Sequence, residues 1–201
     1  MPKQTFFNLA PGKRAAIAGA ALAEFAHYGY DGSNINRIVA ASRIAKGSFY
    51  QYFEDKKDLY FHLVDAMVEK KLAVLNPVAD TFDQHTFAQN MERVFLAGYA
   101  FADSDPQMYA IGEDFVKKQP AFIAQFMERY SHEAQDFYLR LLECAGQRGE
   151  LREGLDLQVT AHFIYVLCAH VPMELFRADR EFRDICIRQL VGFVSRAVTK
   201  A

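Results

Sequence analysis

Apolar residues recur at steps of three and four along nearly the whole of this 201-residue chain. The segment from Pro120 to Ala145 is the clearest case, because Phe122, Phe126 and Tyr130 follow each other at steps of four. This spacing places side chains on one face of an α-helix, whereas a half-buried strand needs apolar and polar residues in alternation. The sequence shows no such alternation of useful length. We therefore predict an all-α protein of about nine helices.

Helix boundaries are indicated by capping and helix-breaking residues. Asn34 and Asp55 are good N-caps for the second and fourth helices, and Gly29 and Pro77 are expected to end the first and fourth. The predicted helices lie at about residues 11–29, 34–41, 45–53, 55–76, 86–102, from 105 onward, 120–145, 156–175 and 180–198. We expect them to form two domains, a three-helix domain at residues 1–55 and a larger helical domain at residues 56–201.

Charge is distributed unevenly between these two parts. The whole chain has a net charge of −2, yet residues 1–57 carry eight Lys or Arg against four Asp or Glu, a net charge of +4. The rest of the chain is acidic by the same count. A basic N-terminal part on an acidic body is what a protein needs when only one end meets phosphate.

Cysteine usage and hydropathy indicate the compartment. Cys144, Cys168 and Cys186 are an odd number with no CxxC spacing, which argues against a disulfide framework and a zinc finger. The first residues are too polar for a signal peptide, and no apolar run reaches the roughly 18 residues needed to cross a bilayer. We expect a cytoplasmic protein.

The stretch SNINRIVAASRIAKGSFYQYFEDKKDLY contains two short helices separated by a few residues. This spacing suits a helix-turn-helix, whose second helix enters the DNA major groove. At 100° per residue, Phe49 and Phe53 share the buried face of that helix, while Gly47, Tyr50 and Gln51 point outward. A surface hairpin of two helices with a small tyrosine-rich core is the alternative that spacing alone leaves open.

The outward set has the chemistry of a DNA-reading surface. Gly47 lets the backbone approach the bases, and the amide of Gln51 can pair with an adenine edge. Ser48 can bond to several base edges, and tyrosines can reach phosphates or a thymine methyl group. On this chemistry the candidate DNA-binding residues are Gly47, Ser48, Tyr50, Gln51, Tyr52 and Lys56.

These residues resemble the N-terminal signature of the TetR-type transcriptional regulators, GYxxxxxxxIVxxAxxxKGSFYxYFxxKxxL. The matching positions are Gly29-Tyr30, Ile38-Val39, Ala41, Lys46 to Tyr50, Tyr52-Phe53, Lys56 and Leu59. The resemblance covers about residues 11 to 65. It implies that the candidate positions from Lys46 to Lys56 contact DNA, with Gln51 as the variable base-reading position.

The sequence departs from that signature at two positions in front of the second helix. Arg43 stands where the family often has glycine, and a left-handed arginine costs roughly 1 kcal/mol relative to glycine. Ala45 stands where the family often has a serine cap, a loss of similar size. Alternatively, Arg43 contacts phosphate. Neither departure removes a residue at a predicted contact position.

The resemblance also implies a homodimer formed by the last two helices and a small-molecule pocket in the body whose occupancy moves the two DNA-binding parts apart. Candidate interface residues in the last helix are Leu190, Phe193, Val194 and Ala197. Candidate pocket residues are Phe95, Tyr99, Phe101, Met108, Phe115, Phe122, Phe126, Tyr130, Tyr165 and Glu174. The alternative for the aromatic residues is that they fill the core. Glu174 either faces a cationic ligand or lies at an exposed helix end.

Other functional patterns are weak. No GxSxG, HExxH, P-loop or dinucleotide glycine pattern occurs, so we expect neither an enzyme nor a cofactor. His162, Cys168 and His170 do not share the i, i+4 spacing of helical metal ligands. We expect a dimeric repressor that binds a palindromic DNA operator and leaves it when an apolar or aromatic effector binds. A helical protein-binding adaptor and a helical enzyme are the alternatives.

Overall fold

The computed structural model describes residues 1–169 and 179–200, apart from the side chains of residues 125, 127–129, 131, 132, 169 and 180. Ten α-helices lie in these residues, with one short 3-10 turn at Phe82–Gln84. They are α1 Gln4–Phe7, α2 Pro11–Gly32, α3 Ile35–Ala41, α4 Lys46–Tyr52, α5 Lys56–Ala79, α6 Phe87–Ser104, α7 Pro106–Val116, α8 Pro120–Gln147, α9 Leu157–Ala169 and α10 Arg180–Val198. The all-α prediction is confirmed, and α1 is the helix that the sequence pattern does not predict.

Side chains cap the helices where the sequence indicates. The Asn34 carboxamide oxygen accepts a bond from the backbone N–H of Asn36 at 2.8 Å, at the start of α3. The carboxylates of Asp55 and Asp105 accept backbone bonds from the residue three positions on, at 2.8 and 3.2 Å. Each bond satisfies one of the N–H groups that the first turn of a helix leaves without an intrahelical partner.

Two helices extend beyond the glycine and the proline that were expected to end them. α2 is kinked at Gly29, which has φ 64° and ψ 176°, and then continues to Gly32. α5 contains Pro77 and ends at Ala79, so the expectation that Pro77 ends this helix is wrong. A proline removes one N–H, and here it lies in the last turn of the helix, where little helical structure follows that could be disrupted.

The described residues form two compact units. The first consists of Met1–Lys71 with Ala102–Ile123, and the second of Leu72–Phe101 with the described residues from Ala124 onward. Phe25, Phe49 and Phe53 are fully buried within the first unit. The core of the second unit is built from α6, α8, α9 and α10 with the end of α5 and the 3-10 turn, and Phe87 and Leu141 are completely inaccessible.

The first unit extends beyond the expected residues 1–55 because α7 binds to the end of α2. The Asp114 carboxylate accepts bonds from the Tyr30 backbone N–H at 3.0 Å and from the Tyr60 hydroxyl at 2.7 Å. Lys118 forms ion pairs with Asp114 at 3.0 Å and Asp31 at 2.6 Å. Burial and then the bond to Asp114 hold the pKa of Tyr60 above its ordinary value, so its phenol stays protonated as a donor.

Candidate nucleic-acid interface

The turn between α3 and α4 is held by backbone bonds in spite of its residue types. Arg43 adopts the left-handed conformation, with φ 54°, as its place in the turn predicts. The backbone N–H of Ile44 donates to the carbonyl of Val39 at 3.1 Å, and the Ser42 hydroxyl donates to that of Ile38 at 2.7 Å. Ala45 supplies no side-chain cap to α4. Both departures noted in the sequence are therefore present in the structure.

The two faces of α4 are those calculated from the helical period. Phe49 and Phe53 are completely buried. Gly47, Tyr50 and Gln51 are exposed, and Ser48 is half-buried beside them. An alanine Cβ at Gly47 would have no atom within 4 Å, so the protein's own packing does not require glycine there. The exposed face of α4 is thus small, polar and accessible, as a helix in a DNA groove needs to be.

Tyr52, a predicted contact to a flanking phosphate, lies on the buried side of α4, the side that it flanks in the helical period. Its side chain is 6% exposed, and its ring centroid is 6.5 Å from that of Phe6. The reason is angular, since Tyr52 directly precedes the buried Phe53 and flanks the buried face. The contact of Tyr52 with DNA stays a prediction, and it requires only that a phosphate reach the Tyr52 hydroxyl.

The Lys56 ammonium is also bonded within the protein. Its ammonium donates to the backbone carbonyls of Tyr30 at 2.6 Å and Ser33 at 3.1 Å, and it lies 4.4 Å from the centre of the Tyr30 ring. The carbonyls at the end of a helix have no intrahelical partner, and a lysine is a strong donor for them. Lys56 therefore ties the end of α2 to the start of α5, and its contact with phosphate stays a prediction. Arg43 and Lys46 are exposed.

Glu24 and Arg37 connect α2 to α3. The Arg37 guanidinium donates to the Glu24 carboxylate at 2.8 Å and stacks 4.2 Å from the centre of the Tyr28 ring. Burial acts to raise the pKa of Glu24, but the bonds from Arg37 and from the backbone of Asn34 lower it below its ordinary value. The carboxylate stays charged, and the orientation of α3 is fixed by this pair.

Residues 2–8, which we call the N-terminal arm, bond to the end of α4, a role that no motif or helical period in the sequence predicts. The Lys3 backbone N–H donates to the carbonyl of Tyr52 at 2.8 Å, and its ammonium donates to that of Tyr50 at 2.8 Å. The Thr5 hydroxyl donates to the carbonyl of Gln51. The only signal in the sequence was the pair Phe6-Phe7 in front of Pro11.

The candidate pocket residues divide between the two units. Met108, Phe115 and Phe122 belong to the first unit, where the Phe122 ring lies 4.7 Å from that of Tyr30. The others that the structure describes belong to the second unit, namely Phe95, Tyr99, Phe101, Phe126, Tyr130 and Tyr165. Glu174 lies outside the described residues. A pocket built from the whole set is therefore not assembled within either unit.

The candidate interface residues of α10 divide between two faces. Val194 is 3% exposed in the core of its own unit, and Leu190 packs against that core. Phe193 is 61% exposed, and Ala197 is exposed beside it. The helical period explains the split, since Leu190 and Val194 lie one turn apart on the inner face while Phe193 and Ala197 lie on the outer face.

The described residues contain neither a candidate metal-binding cluster nor a helix that could cross a membrane. No group of three or more His, Cys, Asp or Glu side chains is placed so that it could hold a metal ion. No helix in that part of the chain combines the length and apolar character needed to cross a membrane.

A left-handed turn between two short helices, with a small polar face on the second helix and a larger helical body after it, defines a DNA-binding transcriptional regulator of the helix-turn-helix class. Residues 17–63 match the model of the bacterial regulatory proteins of the tetR family. The HTH-type transcriptional repressor Rv1474c of Mycobacterium tuberculosis is 35% identical over 74 residues. That match spans 37% of this chain and only 39% of the repressor.

Solved structures resemble the whole chain. A TetR family transcriptional regulator from Chloroflexus aurantiacus J-10-FL is 27% identical, with a TM-score of 0.70, and the match covers 100% of both chains. The SmeT–triclosan complex is 21% identical, with a TM-score of 0.66, and covers 94% of this chain and 92% of its own, a likeness of fold. The N-terminal part of the chain thus matches the tetR family model, and the whole chain resembles a solved TetR family transcriptional regulator.

Proposed function

We propose that this regulator is a homodimeric repressor that binds a palindromic operator with one α4 helix in each half-site. The single observation that carries the DNA contact is the exposed face of α4, where Gly47, Tyr50 and Gln51 lie outward over the buried Phe49 and Phe53. The repressor Rv1474c supports repression as the outcome. Bacterial operator DNA lies in the cytoplasm, and we place the protein there.

Dimer formation is supported by apolar faces that α9 and α10 leave exposed. On α9 the exposed residues are Val159, Phe163, Val166 and Leu167, with Phe163 67% exposed. On α10 they are Phe182, Ile185 and Phe193. Each set lies on one side of its helix, at steps of three, four and eight. Continuous apolar stripes on a protein surface are characteristic of interfaces between subunits. A second copy of the chain, joined about a two-fold axis, would cover both.

We propose that the effector is an apolar or aromatic small molecule bound in the second unit. The supporting residues are the aromatic candidates of that unit, Phe95, Tyr99, Phe126, Tyr130 and Tyr165. The bound triclosan of SmeT, a protein of the same fold, is an example of such a ligand. In one form of the dimer, the spacing of the two DNA-binding parts fits the operator, and in another form it does not. The effector releases DNA only if it binds the second form more tightly than the first.

The test is to select binding sites from a random-sequence pool of duplex DNA with the full-length protein. The expected result is an enriched two-fold symmetric sequence with half-sites about one helical turn apart. Gln51→Ala is expected to relax the base preference at one position of each half-site by about 1 to 3 kcal/mol while enriching the same remaining positions. Failure of the wild-type protein to enrich any sequence at modest salt would contradict the proposed function.

A further inference from the structure

Helix α4 has little support of its own. It has seven residues, begins after the left-handed Arg43 and has no side-chain cap at Ala45. So short a helix is not stable in water by itself, and its last carbonyls have no partner within the helix. Its orientation therefore depends on the groups that hold its two ends.

The N-terminal arm provides partners for three successive carbonyls at the C-terminal end of α4. Lys3 bonds to the carbonyls of Tyr52 and Tyr50, and the Thr5 hydroxyl bonds to that of Gln51. The middle bond is made to the backbone of the residue assigned to base reading. These bonds satisfy acceptors that a helix end would otherwise leave to water.

Phe6 anchors the arm in the first unit. It is 2% exposed, and its ring centroid lies 4.8 Å from that of Phe53 and 5.3 Å from that of His62. Pro2 is buried as well. The arm is thus packed against both α4 and α5, so its polar bonds to α4 are made from a fixed position.

We propose that the N-terminal arm positions α4 for base recognition, with Thr5 as the positioning residue for Gln51. Holding the carbonyls of residues 50 to 52 fixes the rotation of α4 about its axis, and so the direction in which the Gln51 carboxamide meets a base. Bidentate pairing with a base edge depends on that direction, whereas affinity for phosphates depends mainly on charge. The arm therefore affects discrimination between sequences more than the salt dependence of binding. This inference rests on the proposed DNA-binding function.

The test compares two duplexes, the sequence selected by the wild-type protein and the same sequence changed at the base pair where Gln51→Ala loses preference. Thr5→Val removes the donor and keeps the shape of the side chain. We expect it to lower the affinity ratio between the two duplexes about fivefold, the effect of losing one hydrogen bond, with an unchanged dependence on salt. Thr5→Ser retains a hydroxyl and is expected to restore the ratio.

Gln4→Ala is the matched control, because Gln4 is exposed and bonds to Asn8 within the arm at 3.2 Å. Its affinity ratio is expected to equal that of the wild type. Hydrogen exchange provides a measurement independent of DNA, in which the α4 amides of Thr5→Val and Phe6→Ala exchange faster than those of Gln4→Ala. Faster exchange together with a reduced ratio supports the positioning role.

Three outcomes count against the proposal. A wild-type affinity ratio in Thr5→Val overturns the positioning role even if α4 exchanges faster. A reduced salt dependence in Thr5→Val would mean that the arm contacts DNA phosphate, which also overturns it. If the wild-type protein selects no sequence, the proposed function itself fails. That result differs from a wild-type selection in which the arm variants behave normally.

Discussion

Gly47 lies on the exposed face of α4, in a place where the free protein has room for a larger side chain. Glycine lowers helix stability relative to alanine, so its presence is unexplained by the fold. The close approach of DNA to the backbone that we propose would account for it. Glycine at position 47 is therefore not needed for the fold, but it suits the proposed contact with DNA.

Gly47→Ala is expected to raise the stability of the protein by up to about 1 kcal/mol, because alanine favours the helix. It is expected to weaken binding to the selected duplex about tenfold, since the added methyl group keeps the backbone from the bases. Thermal unfolding and fluorescence anisotropy measure the two effects. Unchanged DNA affinity in the more stable variant would show that the backbone does not approach the bases here.

Lys46 and Lys56 are expected to differ although both are basic residues beside α4. Lys46→Gln removes an exposed charge and should lower the slope of log affinity against log salt by about 0.9, with little change in melting temperature. Lys56→Gln removes bonds to two backbone carbonyls and should reduce stability by about 1 kcal/mol, with a smaller change in slope. The reverse assignment of the two effects would show that Lys56 is the phosphate contact.

The sequence predicted the residues whose positions follow from local rules. Asn34 is a cap, Phe49 faces inward and Gln51 outward, all from spacing and residue type within one or two turns. The left-handed Arg43 was expected from the resemblance, because the family often has glycine at that position. The sequence could not predict that Lys56 binds the end of α2, because that contact joins residues 23 and 26 positions apart. Contacts at such separations are set by tertiary packing, which has no periodic signal in the sequence.

At the element scale, α1 packs against the first turns of α5, a contact that helical periodicity in the sequence does not predict. Four residues are too few to show a helical period, and many contacts of α1 are with α4 and α5, which are distant in sequence. His62 of α5 packs edge-on against both phenylalanines of the arm. The charge state of this histidine is therefore connected to how well the arm packs.

Burial lowers the pKa of His62 below its ordinary value of 6.5, against the opposite effect of Asp65, Asp58 and Glu69 and with a small contribution from the chain's amino group. The folded protein thus binds a proton on His62 less readily than the unfolded chain. Stability from the neutral ring is fully present above pH 6.5 and is lost as the pH falls through the lower folded pKa.

We therefore expect the melting temperature to fall on acidification below pH 6.5, and His62→Gln to reduce that dependence. Calorimetry at matched ionic strength between pH 5 and 8 measures it. His85, a histidine of the second unit, is the control, because His85→Gln shows whether replacing any histidine has the same effect. Identical curves for the wild type and His62→Gln would contradict this assignment.

At the scale of the whole molecule, exposed apolar area is concentrated on α9 and α10. We expect Phe193→Glu to convert the dimer to a monomer in sedimentation and to weaken binding to the two-fold symmetric duplex, because the charge would be buried in the interface without a partner. Leu96→Glu is the control, since Leu96 is 49% exposed on α6, outside these two helices. An unchanged mass for Phe193→Glu would contradict the interface.

Val194 is unsuitable for the same test. Its side chain is 3% exposed within its own unit, so a charge there would unfold the helix rather than report on association. The sequence placed Val194 and Phe193 together because both are apolar and adjacent, and only the packing of α10 distinguishes them. The fold class could be predicted from periodicity, but the outward face of this helix could not.

The attachment of α7 to the end of α2 determines where this regulator can be cut for domain exchange. A chimera joined after residue 55 would carry the Gly29–Tyr30 kink without Asp114, and an Asp31 without Lys118. A donor with a larger residue than glycine at position 29 would also collide with Asp114, whose oxygen lies 2.8 Å from the place of a Cβ there. Transplanting the DNA specificity of this protein into another sensor therefore requires residues 102–123 to travel with the first 71.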